Sequence, residues 1–155
     1  MTPIERSIRR STGYGDVFRP QPKSVKGAHW NRSIRAARLY ANQWAREWVK
    51  SRYPRCVPCG SDVNLEWAHV LSGKGDAVRW EERNMTRQCT RCNQLHESHP
   101  EHLVAWFVQT YGQSALAELV AKAETLPKYT YSQIMEIGDK YRKLCKQTPA
   151  RMGSG

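Results

Sequence analysis

The chain has 155 residues, of which 25 are Lys or Arg and 14 Asp or Glu, a net charge of +11 with 39% hydrophobic residues. That length favours one domain with terminal extensions, and six tryptophans permit a core modest enough to benefit from an internal staple. No apolar run approaches membrane-spanning length and Met1–Arg6 lacks the apolar segment of a secretion signal, so a cytoplasmic location with reduced thiols is expected.

The charge is unevenly placed. Residues 1–55 hold thirteen Lys or Arg against three Asp or Glu, whereas residues 56–112 hold five against seven. Basic excess concentrated ahead of the first cysteine points to a nucleic-acid partner rather than a membrane. Residues 1–30, rich in Arg, Gly, Pro and Ser without periodicity, read as a flexible basic arm. Over residues 31–54, Ile34, Ala37, Ala41, Trp44 and Trp48 recur at three and four residues, which predicts an amphipathic helix stopped by Pro54. Trp44 and Trp48 are its core anchors. Arg32, Arg35, Arg38 and Arg46 lie mostly off that stripe, where they can track phosphates.

Two Cys-x-x-Cys pairs follow, Cys56–Cys59 and Cys89–Cys92, thirty residues apart. Four thiolates at this spacing suit a closed tetrahedral zinc site, which is structural because it leaves no coordination position open. Cys145 stands alone in a helical pattern and reads as a packing residue. Between the pairs, Val63–Val70 predicts a strand with His69 near its end. An imidazole there is held still by backbone pairing, and its ordinary pKa near 6.5 suits general-base work. Residues 72–76 form a flexible glycine loop carrying Lys74, a further candidate for nucleic-acid contact, without the strand-to-helix context of a phosphate-binding P-loop.

Residues 80–89 return to the second pair, and a helix from Cys92 places Asn93, His96 and Glu97 on one face. Three more helices are expected: from Pro100 to Tyr111, from Ser114 to Leu126, and one capped by Thr130. The resulting division is a zinc-bound core over 55–112, a helical extension over 113–147 and a disordered tail over 148–155. The fold class is α+β.

Ala68-His69, Asn84 five residues before Cys89, and Asn93 directly after Cys92 resemble the HNH endonucleases of the ββα-metal class. More narrowly, Arg79-Trp-Glu-Glu-Arg-Asn84 with Gln88-Cys-x-x-Cys-Asn93 resembles the phage NinG/Rap recombination proteins, and the Cys-Asn pairing is similar to phage endonuclease VII. The resemblance spans residues 55–112 and, more loosely, the helices to about 147. It implies a treble-clef zinc core in which His69 is the general base and Asn84 orients it by bonding backbone across the loop. Asn93 would ligate a catalytic cation, and His96 would ligate the ion or contact phosphate.

The resemblance implies Mg²⁺ or Mn²⁺ as the catalytic cation, but many relatives carry Asp where this chain has Ala68, and a site poor in carboxylate holds Mg²⁺ weakly and leans toward Mn²⁺, Ni²⁺ or Zn²⁺. Glu66, Asp76 and Glu97 are candidates for its carboxylate, although a regular strand would point Glu66 away from His69. The expected activity is hydrolysis of DNA, including branched or recombining DNA, in a phage protein acting inside its host. Phage recombination or packaging partners and a homodimer are compatible with this reading. The alternatives are a zinc module that binds DNA or recruits a recombination partner without cutting, and an RNA-binding zinc protein.

Overall fold

The computed structural model describes residues 33–147. The basic arm at 1–30, Arg32 and the tail at 148–155 lie outside the described residues.

Helix α1 (Ile34–Arg52) starts where the Ser33 hydroxyl accepts the Ala36 N–H at 3.1 Å, and it ends two residues before Pro54. Its buried stripe is wider than the expected one, since Tyr40, Ala45 and Val49 join Ala37, Ala41, Trp44 and Trp48. Strand β1 (Leu65–His69) pairs antiparallel with β2 (Met85–Cys89), with Leu65 opposite Cys89 and His69 opposite Met85. Between them lie the short helix α2 (Asp76–Arg79) and a 3-10 turn at Glu82–Asn84. Helix α3 (Thr90–Ser98) leaves β2 directly, two residues earlier than the helix expected from Cys92. Helices α4 (Glu101–Tyr111), α5 (Gln113–Glu124) and α6 (Tyr131–Gln147) complete the described residues. At the start of α6 the Gln133 N–H donates to Thr130 Oγ1 at 3.2 Å and the Thr130 N–H to Gln133 Oε1 at 2.9 Å, a reciprocal capping box.

The chain is thus mixed α+β, helix-rich, with a two-stranded sheet. Among the described residues no helix is long and apolar enough to cross a membrane. Two apolar cores hold it together. In one, Val70, Ala77 and Val78 of the β1–β2 connection pack with Leu103 and Phe107 of α4 and Leu119 of α5. In the other, the α1 stripe packs with Ile134, Tyr141 and Cys145 of α6 and with Trp80 and Met85. Each large side chain buried there contributes about 1.5–3 kcal/mol. The separation of 31–54 from 113–147 is therefore one of sequence, not of packing. Long-range bonds reinforce it: Tyr40 donates to Asp139 Oδ1 at 2.7 Å, and the Tyr141 hydroxyl to the Trp80 carbonyl at 2.5 Å.

α1 and α6 approach closely because Gly138 presents no side chain. A Cβ there would overlap Tyr40 Cδ1 and Cε1 and lie 3.3 Å from Ala41 Cα. Gly138→Ala is expected to destabilise by about 1–3 kcal/mol through overpacking, read as a lower thermal midpoint with zinc content unchanged. A variant as stable as the parent would show that this crossing is not tightly packed.

Candidate functional site

The zinc knuckles are built from tight backbone turns. Gly60 takes φ +75, a left-handed conformation that glycine adopts freely, and its N–H donates to the Cys56 carbonyl at 2.8 Å. The Cys56 N–H donates in turn to the Ser61 carbonyl at 2.7 Å, so both sulfurs of the first pair face one point. The sheet register brings Cys89 beside Leu65, and the first turn of α3 presents Cys92. All four sulfurs lie within 4.8 Å of one another, and Cys59 Sγ is 3.7 Å from Cys89 Sγ. A tetrahedral ion with metal–sulfur bonds near 2.3 Å requires sulfurs about 3.8 Å apart, so the set fits zinc.

The protonation chemistry agrees. The Ser61 backbone, ahead of the neighbouring sulfurs, holds the Cys59 thiol down to about 7, while burial, ahead of the neighbouring thiols, pushes Cys92 up. Four packed sulfurs cannot all ionise unless a cation shares their charge. Among the described residues this is the one group of three or more His, Cys, Asp or Glu side chains close enough to hold an ion.

The sheet has two unlike faces. Leu65, Trp67 and His69 share one with Met85 and Arg87, and α1 lies against it. Glu66 and Ala68 share the other, toward α3, where Glu66 accepts from Thr90 Oγ1 and Asn93 Nδ2, each at 2.8 Å.

His69 ends β1 with its ring on Trp67, centroids 4.5 Å apart, and its Nε2 2.9 Å from the Arg79 carbonyl. A carbonyl only accepts, so Nε2 carries the proton and Nδ1 the lone pair. Burial is the main reason its pKa falls to about 4. The Arg79 carbonyl opposes that fall, and the Arg79 and Arg46 charges add to it.

Asn84 is fully buried, and its amide is consumed by the loop that follows β1. Its Oδ1 accepts the Leu71 N–H at 2.7 Å, while Nδ2 donates to the Val78 carbonyl at 2.9 Å and the Leu71 carbonyl at 3.3 Å. Val78 lies in the same short helix as Arg79, so Asn84 holds the element whose carbonyl aims His69. Asn84→Ala strands the Leu71 N–H and the Val78 and Leu71 carbonyls and is expected to cost about 2–4 kcal/mol. Amide exchange at Leu71 should accelerate first, and protection equal to the parent's would remove Asn84 from this role.

The remaining candidates separate. Asn93 sits in the first turn of α3, on the opposite sheet face from His69, bonded to Glu66. His96 is turned inward: it is 7% exposed, Nε2 donates to the Val70 carbonyl at 3.0 Å, and Nδ1 is buried without a partner. It ties α3 to the end of β1 instead of facing solvent as a phosphate contact must. Glu97 is exposed. Asp76 is occupied by Arg38 Nη2 at 2.6 Å and Arg79 Nε at 3.3 Å, which leaves Glu66 as the carboxylate beside Asn93. The same pairing takes Arg38 out of the set of free cations. Arg35 and Lys74 are exposed, and Arg46 lies 5.2 Å over the Trp67 ring.

Three features escaped the sequence reading: the Arg79 carbonyl as orienter, the Glu66–Asn93 pair, and Arg87 on the Trp67 face. The last was accessible, since strand alternation puts residue 87 opposite Trp67 once the register is set by the cysteines.

These features define a cysteine-stapled α+β protein whose two-stranded sheet is locked to the following helix through a knuckle suited to zinc. The model of the family described as Bacteriophage Lambda NinG protein matches residues 19–150, and the chain belongs to that family. Membership associates it with phage recombination. Neither the curated proteins nor the solved structures yield a match.

Proposed function

We propose that this chain is a zinc-stapled HNH endonuclease of treble-clef type that hydrolyses DNA phosphodiester bonds during phage recombination. One observation carries the reading. The His69 Nε2–H is bound by the Arg79 carbonyl, so Nδ1 holds a lone pair on an imidazole whose burial keeps it neutral at physiological pH. That orientation leaves Nδ1 ready to accept a proton, while desolvation makes it a weaker base than an ordinary imidazole.

In the proposed step Nδ1 accepts a proton from water, the resulting hydroxide attacks phosphorus, and the 3′ oxygen departs. Asn84 maintains the aim of the base by holding α2 in place. Asn93 and Glu66 offer two oxygen ligands of the kind a hard cation takes, but they lie on the opposite sheet face from His69, so an ion held there would be separated by the sheet from the phosphate that His69 faces. A divalent ion on the His69 face would supply charge stabilisation for the phosphate and the leaving oxygen, and among the described residues no group of three or more His, Cys, Asp or Glu side chains gathers there to hold it.

Purified zinc-loaded protein with Mg²⁺ or Mn²⁺ is expected to convert supercoiled plasmid to nicked circles. Linear, nicked, forked and four-way DNA then rank its substrates. Undiminished DNA binding with no cutting under any divalent ion would overturn the proposal. It would leave a DNA-binding accessory module, the reading favoured by Ala68, which is 3% exposed and puts no carboxylate beside the base.

A further inference from the structure

Several basic side chains are occupied by acids of the same chain. Arg38 and Arg79 share Asp76, Arg83 bonds Glu81 and Glu118, Lys122 bonds Glu81, and Lys140 bonds Glu82. The cleft between α1 and the sheet differs. It has a volume of about 320 Å³, with Arg46 and Lys50 on its α1 wall, Arg87 on β2, and Trp67 and Val49 beneath. Arg46 faces an aromatic ring, and Arg87 Nη1 donates at 3.3 Å only to the Tyr53 carbonyl, so neither has a carboxylate partner among the described residues. Lys50 is shared with Glu47 at 2.8 Å on the exposed side of α1. The acid lining the cleft, Glu66, turns its oxygens to Thr90 and Asn93.

We propose that this cleft binds the sugar-phosphate backbone of one nucleic-acid strand, with Arg46, Lys50 and Arg87 on the phosphates and Trp67 as a flat apolar surface beneath the sugar or base. Placement supports the strand, because Trp67 is the stacking neighbour of His69 on the same sheet face, two strand residues or roughly 6.6 Å away. Two uncompensated guanidiniums around an indole match a ligand carrying repeated anionic groups and π faces. The volume accommodates one backbone. The placement next to His69 rests on the nuclease reading, whereas binding in the cleft does not.

The test uses the full zinc-loaded chain without added divalent ions and a fluorescein-labelled 20-nucleotide DNA strand, followed by anisotropy across a salt series. Neutralising one phosphate contact lowers the salt slope by about 0.7 for a single strand. Arg46→Gln with Arg87→Gln is expected to weaken binding at least tenfold and reduce the slope by about 1.4, whereas Lys140→Gln leaves both unchanged. Arg87→Lys keeps the charge and should restore the slope, separating phosphate contact from a fold defect at Tyr53.

Equal losses with RNA of the same sequence confirm phosphate chemistry as the recognised feature. Losses confined to duplex DNA overturn the single-strand placement. Parental affinity and slope in the double variant, with zinc retained, overturn the cleft itself. Binding that depends on the cleft in a chain that never cuts leaves this inference standing and removes the nuclease reading. Cutting with no dependence on the cleft does the reverse.

Discussion

Cys59→Ser is expected to release the ion and lower the thermal midpoint by about 15 °C, which corresponds to a loss of roughly 4 kcal/mol. Cys59 is exposed, so the change removes a ligand and little apolar burial. Structural zinc supplies about 10–16 kcal/mol of apparent binding free energy in small modules, as much as the entire stability of an ordinary domain. The damage should be local at first. β1, β2 and α3 meet at the knuckle, whereas α1 and α6 share a core of their own. Hydrogen exchange should therefore rise across residues 56–98 well before it rises in α1. Cys145→Ser, against the Trp44 carbonyl and away from the four sulfurs, should keep its zinc. One bound ion and an unchanged midpoint in Cys59→Ser would refute ligation by this residue.

Under the proposed mechanism, His69→Ala is expected to reduce plasmid nicking by about 10²–10⁴ while DNA affinity stays within twofold, because a general base contributes to the barrier and not to binding. The same residue sets a pH dependence of definite sign. Its folded pKa of about 4 lies below an unfolded value near 6.5, so the folded state binds fewer protons between those limits and stability rises with pH across them. About 3 kcal/mol should be lost on acidification from pH 7 to pH 4. Zinc release adds to that loss, so the quantity to compare is the difference between the parent and His69→Gln. The acid limb of kcat/KM should accordingly fall near pH 4. A limb at 6.5, or a variant that nicks like the parent, would remove His69 from the base role.

The parts of the chain legible in its sequence are those governed by local rules. The Cys-x-x-Cys spacing located the sulfur cluster because two tight turns suffice to converge each pair. Apolar periodicity located α1 and the C-terminal helices to within a few residues. The contents of each sheet face were not legible, since they depend on register, which Leu65 opposite Cys89 settles only once the knuckles close. Nor was the burial of His96, whose inward turn depends on where the Val70 carbonyl lies. Glu66 was correctly placed on the face away from His69, yet its partnership with Asn93 needs the position of α3. Charge counting likewise named Arg38 as a free cation, because pairing with Asp76 across 38 residues leaves no local trace.

The closure of α6 onto α1 has an outcome for the order of synthesis. Trp80, whose residue follows the carbonyl that aims His69, is itself held by Tyr141, and Trp44 waits for Cys145 from 101 residues downstream. Contacts so distant along the chain form late and slowly. A nascent polypeptide still lacking its last helix can acquire metal at the knuckle while the groove beside it remains unsupported. The α1–α6 core can thus close only after translation has passed Gln147, and a chain ended ahead of Tyr141 forgoes the Tyr141 and Cys145 bonds to Trp80 and Trp44 altogether.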